Sequence, residues 1–509
     1  MKIKNLFVTF LTLTFVTFTY AASDTTSSIR GVIKGPDGNP VANASVTVVH
    51  EPSGSTVSKS SNAQGVFIAN NLRVGGPYKL TVVSAYGSQS VSDIYTKLSE
   101  TFSASLVLEE SENVVTVGSK TSYNETYKTG ARSNLSSEDL SSISSITRGL
   151  KDAVATVPFV NVYSLSFEDD DQEGFTIAGQ NPRYSTFSVD GVAQNDDFGL
   201  EKQGYPTIQS PISLDALEQV TVTVTDFDVR YSGSSAGNIN AVTKSGTNDY
   251  SGTVFSYMQD DSLRGDTVDG FKPTTGEYEE ETFGFTFGGP IIKDKLFFFV
   301  NVDNFEKTQP GRYGAAGSGA VQEVSGVTVA QAQQIIDIAS SVYNYDAGGY
   351  TGLASTLIDE DRLAKFDWNI NDNHRASYTH QESTNNNSSE YGSSSSILSL
   401  TSGGFLKTTS LEVDSFQIFS DWSDSFSTSL KVSEKSTRQR NDNVGGNDFM
   451  RATILLTQDS DGVWDDGGPQ VLLGPDPFRH ANSLTTDTRN IEFEFNKLIG
   501  IHEIVGGYS

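Results

Sequence analysis

From Ser251 onward the sequence returns again and again to one alternation, seen most clearly in Thr282-Phe283-Gly284-Phe285-Thr286-Phe287-Gly288. Successive side chains of an extended chain point to opposite faces, so Phe283, Phe285 and Phe287 share one face while Gly284, Thr286 and Gly288 share the other. An aromatic row opposite a small or polar row suits a strand with lipid on one side and a wet lumen on the other. The pattern begins at Gly252-Thr253-Val254-Phe255-Ser256-Tyr257. It resumes, after the turn Gly289-Pro290-Ile291-Ile292-Lys293-Asp294-Lys295, in Leu296-Phe297-Phe298-Phe299-Val300-Asn301-Val302-Asp303. A further hairpin is expected to turn at Asn371 to His374. After Ala22 no run of eighteen apolar residues occurs, so any crossing of a membrane is expected from strands, not from a helix.

The rest of the composition agrees with a mainly β chain. Thirty Phe and 20 Tyr stand against 3 Met, with 46 Gly for turns, and 509 residues allow three or more structural units. A formal net charge of -28 opposes nucleic-acid binding, which needs a basic surface. With no cysteine there are no disulfides, thiolate metal sites or cysteine nucleophiles. Long polar stretches at 260–281, 308–357, 381–403 and 438–489 read as extracellular loops between barrel strands, with a short helix over 331–342 inside one of them.

Residues 1–22 have the parts of a secretory signal: Lys2 and Lys4, the apolar stretch Leu6 to Phe18, then small residues around Ala21. Residues 27–109 alternate in short segments separated by turn signals such as Gly35-Pro36-Asp37-Gly38, which describes a β-sandwich of about seven strands. A linker over 110–134 follows, containing Glu112, Asn113, Val114, Val115, Thr116 and Val117. This short β-run has two readings. It is an extended segment that adds itself to the sheet edge of a partner, or it is the first strand of the next domain.

Residues 135–245 read as an α+β domain. Ser136 or Ser137 is placed to cap a helix, and a second helix is expected to end before Pro158. Asp190-Gly191 between Thr186-Phe187-Ser188-Val189 and Val192 is a hairpin signal. Residues 246–509 are the strand-rich remainder.

Four stretches carry a resemblance. "G-V-I-K-G-P-D-G-N-P-V-A-N-A-S-V-T-V", followed by "N-A-Q-G-V-F" and "G-G-P-Y-K-L-T-V", resembles the carboxypeptidase regulatory-like domain, a non-catalytic sandwich related to carbohydrate-binding modules. "L-D-A-L-E-Q-V-T-V-T-V-T-D-F-D-V-R-Y-S-G-S-S-A-G-N-I-N-A-V-T-K-S-G-T-N" resembles the plug-to-barrel junction of TonB-dependent outer-membrane receptors, particularly the OmpA-related (Oar-like) group. "G-G-P-I-I-K-D-K-L-F-F-F" and "A-K-F-D-W-N-I-N-D-N-H-R-A-S-Y" resemble the barrel of the same group. The resemblance implies an N-terminal β-sandwich, an α+β plug and the first part of a transmembrane antiparallel β-barrel. It further implies a Gram-negative outer-membrane location with the N-terminal domain in the periplasm, amid lipid and lipopolysaccharide.

The implied activity is energised uptake of an extracellular ligand: a siderophore, vitamin, oligosaccharide or peptide. Glu112 to Val117 would then be the TonB box, the segment that engages TonB and its inner-membrane energising complex. Arg183, Tyr184, Asp196, Asp197 and Phe198 would lie in plug loops that touch ligand. Residues 251–509 are expected to supply roughly ten to twelve strands, against about 22 in the receptors it resembles, so the sequence reads as a C-terminally truncated receptor.

Other chemistry is sparse. Asp459, Asp461, Asp465 and Asp466 around Gly462 are a calcium candidate in an extracellular loop, although the glycine and glutamate of an EF-hand loop are missing. Glu168 to Asp171 reads as a solvated acidic loop. Lys244-Ser245 after a glycine-rich stretch lacks P-loop spacing. No H-E-x-x-H or G-x-S-x-G occurs, and no carboxylate pair stands out, so neither an enzyme nor an organic cofactor is expected. Two rival functions remain at this stage: a non-transporting outer-membrane adhesion or assembly protein, and a secreted carbohydrate-binding protein.

Overall fold

The computed structural model describes residues 24–108, 115–117, 131–164, 173–201, 203–225, 236–263, 265, 267, 276–458, 461–464, 467–479 and 482–509. The signal segment, Glu112 to Val114, the acidic stretch at 168–171, and Asp459, Asp465 and Asp466 lie outside them.

The N-terminal sandwich comprises β1 (Ser27–Lys34), β2 (Ser45–His50), β3 (Ser55–Ser60), β4 (Val66–Leu72), β5 (Gly75–Ser84), β6 (Gly87–Thr96) and β7 (Thr101–Val107), with a short added strand β8 (Val115–Val117). One sheet runs β4-β1-β7 and the other β3-β2-β5-β6-β8. Alternation fills the space between them: Ile29, Ile33, Val46, Val48, Leu80, Val82 and Ile94 point inward with Phe67 and Tyr78. Gly31 is required where it stands, because a Cβ there would lie 2.2 Å from the Phe67 ring.

The middle domain holds β9 (Arg132–Ser136), α1 (Ser137–Ser141), α2 (Leu150–Val154), β10 (Val160–Ser164), β11 (Glu173–Ile177), β12 (Thr186–Val189), β13 (Val192–Ala193), β14 (Leu217–Thr223) and β15 (Asn238–Thr243). Ser136 caps α1 in a reciprocal pair with Asp139. The Asp190-Gly191 turn has φ of 45° and 75°, the left-handed pair that joins tightly twisted strands, and it connects β12 to β13. The five-stranded sheet runs β13-β12-β15-β14-β9, with β10-β11 as a separate ribbon.

The remainder contains β16 (Ser251–Asp260), β17 (Glu279–Ile292), β18 (Leu296–Gln309), β19 (Tyr313–Ala316), β20 (Gln322–Thr328), α3 (Val329–Tyr343), β21 (Ser355–Asn371), β22 (His374–Glu390), β23 (Ile397–Ser399), β24 (Gly404–Ser423), β25 (Phe426–Asn443), β26 (Ala452–Leu455), β27 (Gln470–Leu473), β28 (Ser483–Ile499) and β29 (His502–Tyr508). Nine of these strands form one antiparallel sheet, in the order β16-β17-β18-β21-β22-β24-β25-β28-β29. Nine replaces the ten to twelve expected. The reason is length: β24 and β25 have 20 and 18 residues and run on through polar sequence. Gln381 to Glu390 and Arg438 to Asn443, expected in loops, are strand, since beyond a lipid-facing zone a barrel strand is wet on both faces.

The sheet is inside out relative to a soluble protein. Phe283, Phe287, Phe366, Trp368, Phe416, Ile491 and Phe493 are exposed, whereas Asn301, Asp361, Lys365, Gln381, Ser383 and Lys435 are buried. The buried polar face closes on the middle domain, whose core takes in Phe299 and Leu363 from the sheet. Tight turns at 293–295, 372–373, 424–425 and 500–501 lie at one end of the strands, and the long connections leave from the other. Those connections are not loose: β19, β20, α3, β23, β26 and β27 assemble a cap around Val324, Val327, Ala332, Leu398, Leu400 and Val471. No helix among the described residues is long and apolar enough to cross a membrane.

Candidate functional site: a filled lumen and a strand on the sandwich edge

The inward face of the sheet grips the middle domain through lysines. Lys365 donates to the carbonyl and hydroxyl of Thr243 at 3.1 and 3.0 Å and lies 3.4 Å from Asp190. Lys407 pairs with Glu201. Lys431 donates to the Gly191 carbonyl and pairs with Glu492 of the neighbouring strand at 2.7 Å. Lys435 donates to the Asn195 carbonyl at 3.0 Å and to Asp197 at 2.9 Å. Gln417 donates to the Asp190 carbonyl at 2.9 Å, and Gln194 to Gln381 at 2.6 Å. The period-two pattern of β21, β24 and β25 places all four lysines on one face, a signal present in the sequence. Their partners are fifty or more residues away in the chain and could not be paired from local pattern.

Arg183, Tyr184, Asp196, Asp197 and Phe198 do come together, near the end of the lumen from which the long connections leave. Arg183 donates to the carbonyls of Leu200 and Glu201 at 3.0 and 3.3 Å. Asp196 accepts from the backbone of Phe198 at 3.0 Å and of Glu201 at 2.8 Å, so these two residues shape the 196–201 loop. Asp197 is occupied by Lys435 and by the Thr486 hydroxyl at 2.9 Å. Tyr184 and Leu200 present exposed apolar surface there.

Of the segment 112–117, the backbone of Val115, Thr116 and Val117 is described. It forms β8, paired in parallel with the sandwich edge: Gln89 with Val115, Ser90 with Thr116, Val91 with Val117. The middle domain begins its own sheet with β9, so the alternative reading of this run as that domain's first strand is corrected. A free sheet edge on β6 attracts an extended segment because unpaired backbone groups are costly.

The sandwich itself sits on the tight turns. Lys59 pairs with Asp421 at 2.9 Å, Arg30 donates to the Ile501 carbonyl at 2.6 Å, Asn62 to that of Gly500 at 2.7 Å, and Arg375 to that of Asn71 at 2.9 Å. The middle domain is tied in as well, with Arg132 donating to Ser99 and Asn134 to Glu100. Where the three parts meet lies a cavity of about 140 Å³ lined by His50, Arg73, Glu218, Lys365, Asp367 and Arg375 among others. Burial, reinforced by Arg73 and Arg375, pulls the His50 imidazole down to about 3, and burial pushes the Glu218 carboxyl up. Both shifts favour neutral side chains at the junction.

Asp461 alone of the four expected calcium ligands is described, and it has a polar partner. A group that pattern reading missed is His380, Glu412 and Asp414, on the outward face of β22 and β24, whose ligand atoms lie within 4.8 Å of one another. His380 and Asp414 are direct cross-strand partners, 3.0 Å apart at Nδ1 and Oδ1.

Comparisons with known proteins agree with this layout. Residues 28–109 match the carboxypeptidase regulatory-like domain, 125–239 the TonB-dependent receptor plug domain, and 242–352 an outer membrane β-barrel domain. The TonB-dependent transporter Oar of Myxococcus xanthus is 30% identical over 213 residues, covering 38% of this chain and 19% of Oar. Among solved structures, the outer membrane transporter YddB of Escherichia coli is 12% identical over 72% of this chain and 45% of its own, with a TM-score of 0.49. The ferric enterobactin receptor PfeA of Pseudomonas aeruginosa is 14% identical over 74% and 48%, with a TM-score of 0.45. The chain thus spans less than half the length of these relatives. With matches to a regulatory-like domain, a TonB-dependent receptor plug and an outer-membrane β-barrel domain following one another in that order, the chain has the domain order of a TonB-dependent receptor of the outer membrane.

Proposed function

We propose that the protein works in energised import: ligand is caught by the cap and the upper plug loops, and a TonB partner drawing on the inner-membrane energising complex pulls on Glu112 to Val117 to open the lumen. The observation that carries this reading is the polar inward face of an open nine-stranded sheet, filled by a separate domain that is held by side-chain ties, with β8 at the opposite end from the cap. A wall filled in this way passes nothing until the domain against it moves, and ties of this sort can be broken and remade. Tyr184 and the surface beside it, with Arg183, Asp196, Asp197 and Phe198 shaping the loop, are the proposed ligand-proximal part of the plug. The acidic chain favours a cationic or metal-bearing ligand. The acidic stretch with Asp459, Asp461, Asp465 and Asp466 is proposed to hold calcium in an extracellular loop.

A ligand-independent test uses the absence of native cysteine. Thr116→Cys in the full-length receptor is expected to cross-link to a cysteine placed on the pairing strand of TonB in living cells. Removal of Val114 to Val117 should abolish growth on the limiting nutrient that induces the gene while the receptor stays in the membrane. Growth unaffected by that deletion would sink the coupling assignment and favour a non-transporting role.

A further inference from the structure

The lysine ties reach the plug from β21, β24 and β25, but the neighbouring part of the wall is different. On the inward faces of β18, β21 and β22, Asp303 is the direct cross-strand partner of Asp361, and Asp361 of Ser383. Direct partners hold their Cβ atoms about 5 Å apart, so three oxygen-bearing side chains stand side by side. Asn301 lies two residues before Asp303 on the same face. All four residues are more than nine-tenths buried. Three of them keep a side-chain oxygen without a hydrogen-bond partner, Asn301 Oδ1, Asp303 Oδ2 and Asp361 Oδ1, while the Ser383 hydroxyl sides with Asp361 and the Ser213 hydroxyl of the plug with Asp303.

The nearby cations are already engaged. Arg148 of the plug makes a two-point pair with Asp215 at 2.7 and 3.1 Å, and Arg362 turns outward to Asn304 at 2.9 Å and Glu360 at 3.3 Å. A third buried carboxylate, Asp359, is bonded to Asn385 one step along. Buried carboxylate oxygens left without a donor are costly, and an all-oxygen group of carboxylate, amide and hydroxyl is the donor set that hard cations take.

We propose that Asp303 and Asp361, with Asn301 and Ser383, bind a hard divalent cation of the calcium class between the barrel wall and the plug. Water and plug groups near Ser213 would complete the roughly six to eight oxygens such an ion takes. The ion would tie the plug to the wall on the side where lysines do not. This site is separate from the acidic stretch at 459–466 and from the outward His380 group.

The test is Tb3+ luminescence of the full-length receptor in detergent, excited through tyrosine, since Tyr205 lies within electrostatic reach of Asp361. A saturable signal displaced by Ca2+ is expected, lost in Asp303→Asn/Asp361→Asn and weakened about tenfold or more in Ser383→Ala, which keeps both carboxylates. Ca2+ should also raise the thermal midpoint of the wild type but not of the double variant. A signal untouched by these changes, or one abolished by Glu412→Gln/Asp414→Asn, overturns the assignment. So does a double variant that is more stable than wild type with or without Ca2+.

Discussion

Lys407 reaches Glu201 with both side chains withdrawn from water. Truncating one partner of such a pair strands the other, a loss of about 3–5 kcal/mol, whereas replacing both with apolar groups is often neutral. Lys407→Ala is therefore expected to lower the thermal midpoint of the purified receptor, and Lys407→Met with Glu201→Met to restore most of it. His50 makes the opposite kind of statement. In the unfolded chain its imidazole takes up a proton near 6.5, but in the sandwich, buried and facing Arg73, it does so only near 3. Between those values the unfolded state binds more protons, so stability present above pH 6.5 drains away as the pH falls toward 3. Hydrogen exchange of the β2 and β5 amides should quicken on acidification through that window, and His50→Gln should flatten the dependence.

At the level of the element, Gly31 shows how tightly β1 is seated on Phe67. Gly31→Ala is expected to cost about 1–3 kcal/mol by overpacking, measured as a lowered denaturation midpoint of the sandwich. Elements whose causes are local were legible from sequence: the Ser136 cap, the Asp190-Gly191 hairpin, the turn at Asn371 to His374, and the alternating rows of β17 and β18. What could not be read was assembled from afar. Val324, Leu398 and Val471 look like stray apolar residues in three polar stretches, yet they meet in the core of one cap. The same limit hid the seat of β8, since nothing in Val115-Thr116-Val117 says that the open edge of β6 is near enough to take it. Polar strand ends such as Arg438 to Asn443 were misread because barrel strands lose their amphipathic signature outside the lipid zone.

For the whole molecule, the arrangement has a direction: sandwich and tight turns at one end, cap at the other, apolar belt between. A chain without cysteine makes this testable by single substitutions at exposed sites. Ser340→Cys on α3 should react with an impermeant maleimide on intact cells, and Ser58→Cys on β3 only after the outer membrane is opened. Labelling of both on intact cells would contradict the orientation. One feature of the plug then acquires a mechanical meaning. β9 is the outermost strand of the five-stranded sheet, the first one reached from β8, and its leading residue Arg132 is paired with Thr223 at the near end of the ladder. A tensile load entering from that side and directed away from the sheet bears on one pair of backbone bonds at a time, like a zip opened from its tab. The plug would yield at low force along its edge while Phe299 and Leu363 keep the rest of its core fastened to the wall.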